Sequence, residues 1–84
     1  MQQPELEFPL HWEYKIIALH SDSVQASLEA VSASHGCTTP VLRGNQSSSG
    51  KYATYTVRIH VQSREHLDAL RAEFSQCPGV RYLL

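Results

Sequence analysis

The sequence predicts an α+β fold: a ferredoxin-like βαββαβ sandwich with one four-stranded antiparallel sheet, strand order 4-1-3-2, and both helices on one face. Three observations carry this expectation. Residues Gly50 to Gln62 alternate Ala53, Tyr55, Val57, Ile59 and Val61 with Tyr52, Thr54, Thr56, Arg58 and His60, the period-2 pattern of a strand buried on one side only. Two segments of helical periodicity, one after Ser21-Asp22-Ser23 and one after Ser63, each follow a strand-like run. Right-handed crossovers between such units leave one face of the sheet without helices.

Residues 1–10 combine polar and acidic side chains with Pro4 and Pro9, which reads as a flexible arm whose Phe8 docks on the domain of residues 11–84. His11 to Leu19 is rich in aromatic and β-branched residues and alternates Trp12, Tyr14 and Ile16 with Glu13, Lys15 and Ile17, so it is the first strand. Ser21, Asp22 and Ser23 offer helix-capping side chains, with Gln25 three residues after Asp22. Val24, Leu28 and Val31 recur at helical spacing until His35-Gly36 stops the helix.

Thr38 to Gln46 contains Pro40 and Gly44, which a central strand tolerates poorly, and is expected as an irregular edge strand. The run Ser47-Ser48-Ser49-Gly50 turns the chain into the third strand. Ser63 then caps a helix whose Leu67, Leu70 and Phe74 share one side, ending before Pro78-Gly79. Val80 to Leu84 closes the sheet as the fourth strand.

Composition narrows the function. A chain of 84 residues buries about 60 to 65% of its unfolded surface and leaves little room for an enclosed active site. No run approaches the ~18 apolar residues of a membrane span, and MQQPELEF lacks the basic and apolar parts of a signal peptide. The expected location is the cytoplasm, away from membranes. Seven Lys plus Arg against eight Asp plus Glu, a formal charge of −1, give no overall attraction to nucleic acid.

Strand parity sorts the side chains further. With Trp12, Tyr14 and Ile16 inward, the open face is expected to hold Lys15, Ile17, Tyr52, Thr54, Thr56, Arg58, His60, Arg81 and Leu83. A mixed basic and apolar face of this kind suits an acidic protein partner, an anionic ligand or self-association into a homodimer. RNA-recognition motifs share this topology, but they stack bases on several third-strand aromatics, whereas Ser49 to Thr56 presents only Tyr52 outward. Nucleic-acid binding is therefore disfavoured, and weak electrostatic association is the form left to it.

Neither cofactor nor catalytic centre is expected. Cys37 and Cys77 follow different helices and fall at opposite ends of the sheet, ~17 Å or more apart, too far for a disulfide. No CxxC spacing occurs, so both should be free thiols. His11, His35 and His60 lie towards one end of the sheet, but His35 comes from the helix layer with no evident carboxylate beside it, short of a metal ligand set. The serines cluster in turns and caps rather than beside a histidine and its orienting acid, which points away from an enzyme.

Phe8-Pro9 with Tyr14-Lys15, Ser47-Ser48 with Gly50-Lys51-Tyr52, and Val80-Arg81 together resemble the YbeD-like family of small bacterial proteins over roughly residues 6 to 84. Ala18 stands where that pattern has glycine. The resemblance implies an ACT-like regulatory fold and supplies no catalytic residues. ACT domains bind amino acids near the first strand-to-helix turn, which here makes His20, Ser21, Asp22 and Ser23 candidate ligands of a small anionic effector through the helix N–H groups. The aspartate-X-proline-glycine turn of amino-acid-binding ACT domains is absent, and helix capping is the simpler role of these residues. The leading expectation is a non-enzymatic regulatory or adaptor module that docks a protein through the open face.

Overall fold

Alternation in the first and third apolar runs produces two ten-residue strands, β1 (Leu10–Leu19) and β3 (Tyr52–Val61), paired antiparallel along their whole length from Leu10 opposite Val61 to Leu19 opposite Tyr52. The computed structural model describes residues 6–84. The remaining elements are α1 (Asp22–Ser34), β2 (Leu42–Gln46), α2 (Arg64–Gln76) and β4 (Val80–Leu83). The sheet runs β2-β3-β1-β4, which is the expected order read from the other edge. Of the expected arm, residues 1–5 lie outside the described residues. Leu6 and Phe8 pack against the core, and Leu10 already belongs to β1.

The inward residues of β1 and β3 meet Val24 and Leu28 of α1 and Leu67, Leu70 and Phe74 of α2 in one apolar core. Ile16, Leu28, Tyr55, Leu70 and Phe74 are fully buried, each side chain of this size stabilising the fold by about 1.5 to 3 kcal/mol. Two core tyrosines keep a polar contact. Tyr14 donates to the Leu67 carbonyl at 2.9 Å, and Tyr55 donates to the Leu19 carbonyl at 2.7 Å while accepting from the Ser21 N–H at 3.2 Å. Tyr55 thereby ties the end of β1 and the start of α1 to β3.

The helix ends follow from local sequence, with one correction. Ser21 caps α1, accepting from the Ser23 N–H, and Ser63 caps α2, accepting from the His66 N–H. Asp22 is the first helical residue, not the cap. Gln25 does not reach back to it but donates to the Val41 carbonyl at 3.1 Å, holding the segment before β2. At the other end of α1, Gly36 takes φ +80° while the Gly36 and Cys37 N–H groups bond the carbonyls of Ala33 and Ser32 at 3.0 Å each, a Schellman stop.

Two strand expectations also change. The edge strand begins at Leu42 rather than Thr38, because Pro40 lacks an N–H and Val41 turns into the core at 2% exposure. In β4 the inward-outward alternation breaks. Ile17 pairs with Tyr82 but Ala18 pairs with Val80, so Arg81 is an extra residue. This β-bulge sends two successive side chains outward. Leu83, expected on the open face, instead lies opposite buried Ile16 and packs on the core, and Tyr82 takes the outer position at 65% exposure.

Candidate functional site on the open sheet face

Both helices cover one side of the sheet, and the other side is a surface of paired rows. Strand register sets the rows from one end to the other: His60 beside His11, Arg58 beside Glu13, Leu42 beside Thr56 and Lys15, Thr54 beside Ile17 and Tyr82, and Tyr52 beside Leu19. Of the residues expected here, Lys15, Ile17, Tyr52, Thr54, Thr56, Arg58, His60 and Arg81 share this face. Leu83 does not.

Charge on this face is divided between its two ends. Glu13, which shares the parity of Lys15 and Ile17, accepts from Arg58 Nε at 2.8 Å and lies 3.3 Å from Lys15 Nζ. Lys15 Nζ also donates to Thr56 Oγ1 at 3.1 Å. These contacts, first from Arg58 and then from Lys15, hold the Glu13 carboxyl below its ordinary range. Two of the three Lys and Arg side chains expected on this face, Lys15 and Arg58, thus share one carboxylate. Arg43 of β2 stands opposite inward Tyr55, and its guanidinium reaches Asp22 of α1 at 2.8 Å.

At the other end, Lys51 Nζ lies 5.5 Å and the Arg81 guanidinium carbon 5.8 Å from the centre of the Tyr52 ring. Among the described residues neither cation has a carboxylate within 4.0 Å. Arg81 lies on this side as strand parity expects, and the bulge sets Tyr82 outward next to it. Beside Tyr52, a shallow depression of about 210 Å³ is lined by Ile17, Gln46, Ser47 and Thr54 among others.

The first strand-to-helix turn is arranged differently from an open anion site. The Ser21 N–H is taken by Tyr55, the Ser23 N–H by Ser21 Oγ, and the Asp22 carboxylate stands at the terminus with Arg43. His20 Nε2 lies 3.4 Å from Gln46 Nε2, and the His20 backbone N–H donates to the Lys51 carbonyl at 2.8 Å. A groove of about 320 Å³ runs past Leu19, Ser21, Ser23, Val24, Ser27, Pro78 and Gly79. A small carboxylate there would meet Asp22, a like charge, at the one helix end expected to attract it.

The histidines form a chain that sequence reasoning missed. The Gln62 N–H donates to His66 Nδ1 at 3.1 Å, His66 Nε2 lies 3.1 Å from His35 Nδ1, and His35 Nε2 lies 2.6 Å from Glu73 Oε2. The expectation of no carboxylate beside His35 is therefore wrong: helix packing sets Glu73 of α2 against it. The backbone donor fixes the direction, so His66 must carry its proton on Nε2 and donate to His35, which donates to Glu73. Each ring nitrogen is thereby committed to a hydrogen bond, leaving neither ring a free lone pair as metal ligand or base. The outward pair His11 and His60 has ring centres 4.9 Å apart with the planes tilted by 34°, and no three His, Cys, Asp or Glu among the described residues converge on a metal-sized site.

Cys37 and Cys77 are both free. Cys37 Sγ donates to the Arg58 carbonyl at 3.3 Å, whereas burial, and secondarily Glu73, pushes the Cys77 thiol above its ordinary value, the reverse of an activated nucleophile. No helix among the described residues is long and apolar enough to cross a membrane.

Parity could have placed Glu13 on the face from sequence alone. Tyr82 and the His35–Glu73 contact could not have been placed that way, since one needs a bulge and the other the packing of two helices.

Comparisons with known proteins agree with this architecture. The solution structure of protein HP0495 from H. pylori superposes with a TM-score of 0.87 at 19% identity, covering 99% of this chain and 89% of that one. A second solution structure of HP0495 from Helicobacter pylori gives a TM-score of 0.65 at 19% identity over 100% and 95% of the two chains. These likenesses establish the βαββαβ fold. Among sequence relatives, the UPF0250 protein IL0958 of Idiomarina loihiensis is 31% identical over 81 residues, covering 94% of this chain and 90% of its own. A UPF0250 protein of Shewanella woodyi is 30% identical over 79 residues with the same coverage. The profile of the family described as "Protein of unknown function (DUF493)" matches residues 3–84, and on that match the chain belongs to the DUF493 family, as its YbeD-like resemblance implied.

Proposed function

We propose that this protein is a non-enzymatic regulatory or adaptor module of the cytoplasm that binds a protein partner through the open face of its sheet. One observation supports this above the others. The outer face of a four-stranded sheet carries Ile17, Leu42, Tyr52 and Tyr82 among charged and hydroxyl side chains, and neither helix covers it. Leu42 and Tyr82 are 55% and 65% exposed. Apolar groups of this size held open in rows, rimmed by cations, have the composition of a docking surface. The commitment of both His35 and His66 nitrogens to one chain, and the raised Cys77 thiol, support the same reading, since none of these three groups is an activated base or nucleophile.

The test is site-directed photo-crosslinking in cells that contain the native partner set. A photoreactive residue replacing Thr54 on the open face should yield an adduct of defined mass that Ile17→Glu abolishes. The same residue at exposed Ala69 of α2 should yield none. Crosslinks from position 69 but not 54, or adducts at 54 indifferent to Ile17→Glu, would overturn the proposal. An adduct twice the protein's own mass would identify the partner as a second copy.

A further inference from the structure

Cationic side chains on the open face divide into a pair that shares one carboxylate and a pair that has none among the described residues. Lys15 and Arg58 share the Glu13 carboxylate at 3.3 and 2.8 Å. Lys51 and Arg81 flank the Tyr52 ring instead, with no described carboxylate within 4.0 Å of either. A cation within about 6 Å of an aromatic face is held in place while its charge stays available to a partner. The depression of about 210 Å³ beside Tyr52 has Ile17 in its wall, and Tyr82 stands across from Ile17 in the same row. Two positive charges with no carboxylate partner among the described residues therefore flank Tyr52, which lines the dent.

We propose that this corner, made by Ile17, Lys51, Tyr52, Arg81 and Tyr82, recognises an acidic segment of the protein partner: carboxylates meet Lys51 and Arg81 while an apolar side chain of the same segment enters the dent. The inference rests on the docking role of the open face and adds the chemistry of what docks. Charge complementarity selects the occupant. A basic segment would be repelled here, and a purely apolar one would leave both cations desolvated without a partner. The end around Glu13 has a weaker preference, because one carboxylate already lies against both of its cations and leaves a net charge of +1 there rather than +2.

An amide NMR titration tests it with two synthetic octapeptides, one alternating Glu and Leu and one alternating Gln and Leu, and with an eight-residue single-stranded oligothymidylate. The Glu-Leu peptide should shift the amides of Ile17, Lys51, Tyr52, Arg81 and Tyr82 and bind about tenfold more tightly than the Gln-Leu peptide. The double variant Lys51→Gln and Arg81→Gln should abolish that preference while keeping a dispersed spectrum, whereas Arg64→Gln on the helix side should leave it intact. Two exposed ion pairs support a change of about three- to tenfold. Equal affinity for both peptides, shifts centred on Lys15 and Arg58, or tighter binding of the oligothymidylate would each overturn the assignment. If the peptide fails but crosslinks from position 54 persist, this corner is wrong and the docking face still stands.

Discussion

Gly79 connects the core to the open face, and substituting it measures how tightly β4 is placed. Its φ is +87°, in the left-handed region, and a Cβ built there would lie 3.0 Å from Val24 Cγ2 and 3.2 Å from Leu19 Cδ1. Gly36 provides the control, because its φ of +80° is nearly the same but a Cβ there meets nothing within 4 Å. The left-handed backbone costs an alanine about 1 to 2 kcal/mol, offset by about 0.4 to 1 kcal/mol from the stiffer unfolded chain. Gly36→Ala should therefore lose about 0.5 to 1 kcal/mol. Gly79→Ala adds overpacking against α1 and β1, which costs about 1 to 3 kcal/mol, for a total of about 1.5 to 4 kcal/mol. In a chain of this size the two variants should melt about 2 to 8 °C and about 6 to 30 °C below the parent. Urea unfolding of all three proteins, with m-values compared, gives the free energies directly. A Gly79→Ala loss no larger than that of Gly36→Ala would refute the reasoning, because Leu19 and Val24 would then be yielding freely at the root of β4.

Two further outcomes follow from the buried polar groups. Tyr14 is 2% exposed, and burial pushes its phenol up from 10.0 to about 12. The group folds in its neutral form, so its contribution is whole below pH 10 and is lost as pH rises towards 12, whereas Tyr14→Phe should show a shallower alkaline decline in a stability titration. At neutral pH the same substitution should cost only about 0.5 to 1.5 kcal/mol, since the Leu67 carbonyl lies inside α2, where an intrahelical N–H is its usual partner. In the histidine chain, His66→Phe removes the acceptor of the Gln62 N–H and the donor to His35. It should lower unfolding free energy by about 1 to 2 kcal/mol and speed exchange of the Gln62 amide. An unchanged exchange rate would mean that the amide is protected by something other than His66.

The periodicities of this chain decided its fold before any tertiary contact was known. Alternation in β1 and β3 and the spacing of Leu67, Leu70 and Phe74 are local properties, set by which residues can share a strand face or a helix stripe. Ser21, Ser63 and Gly36 likewise mark helix ends through hydrogen bonds spanning only a few residues. The same parity that separates Tyr55 from Thr54 and Thr56 also assigns most of the open face, Glu13 included.

Other features depend on distances between segments that no local pattern encodes. The bulge at Arg81 arises where four residues of β4 must match β1 while Val80 and Leu83 both reach the core, and it exchanges Leu83 for Tyr82 on the outside. Glu73 meets His35 only because α1 and α2 pack side by side, 38 residues apart in sequence. Charge on the face was read from sequence as a sum of cations. Whether a cation is free or spent depends on Coulomb contacts of a few ångströms, and the fold alone sets Arg58 and Lys15 on Glu13 while leaving Lys51 and Arg81 around Tyr52.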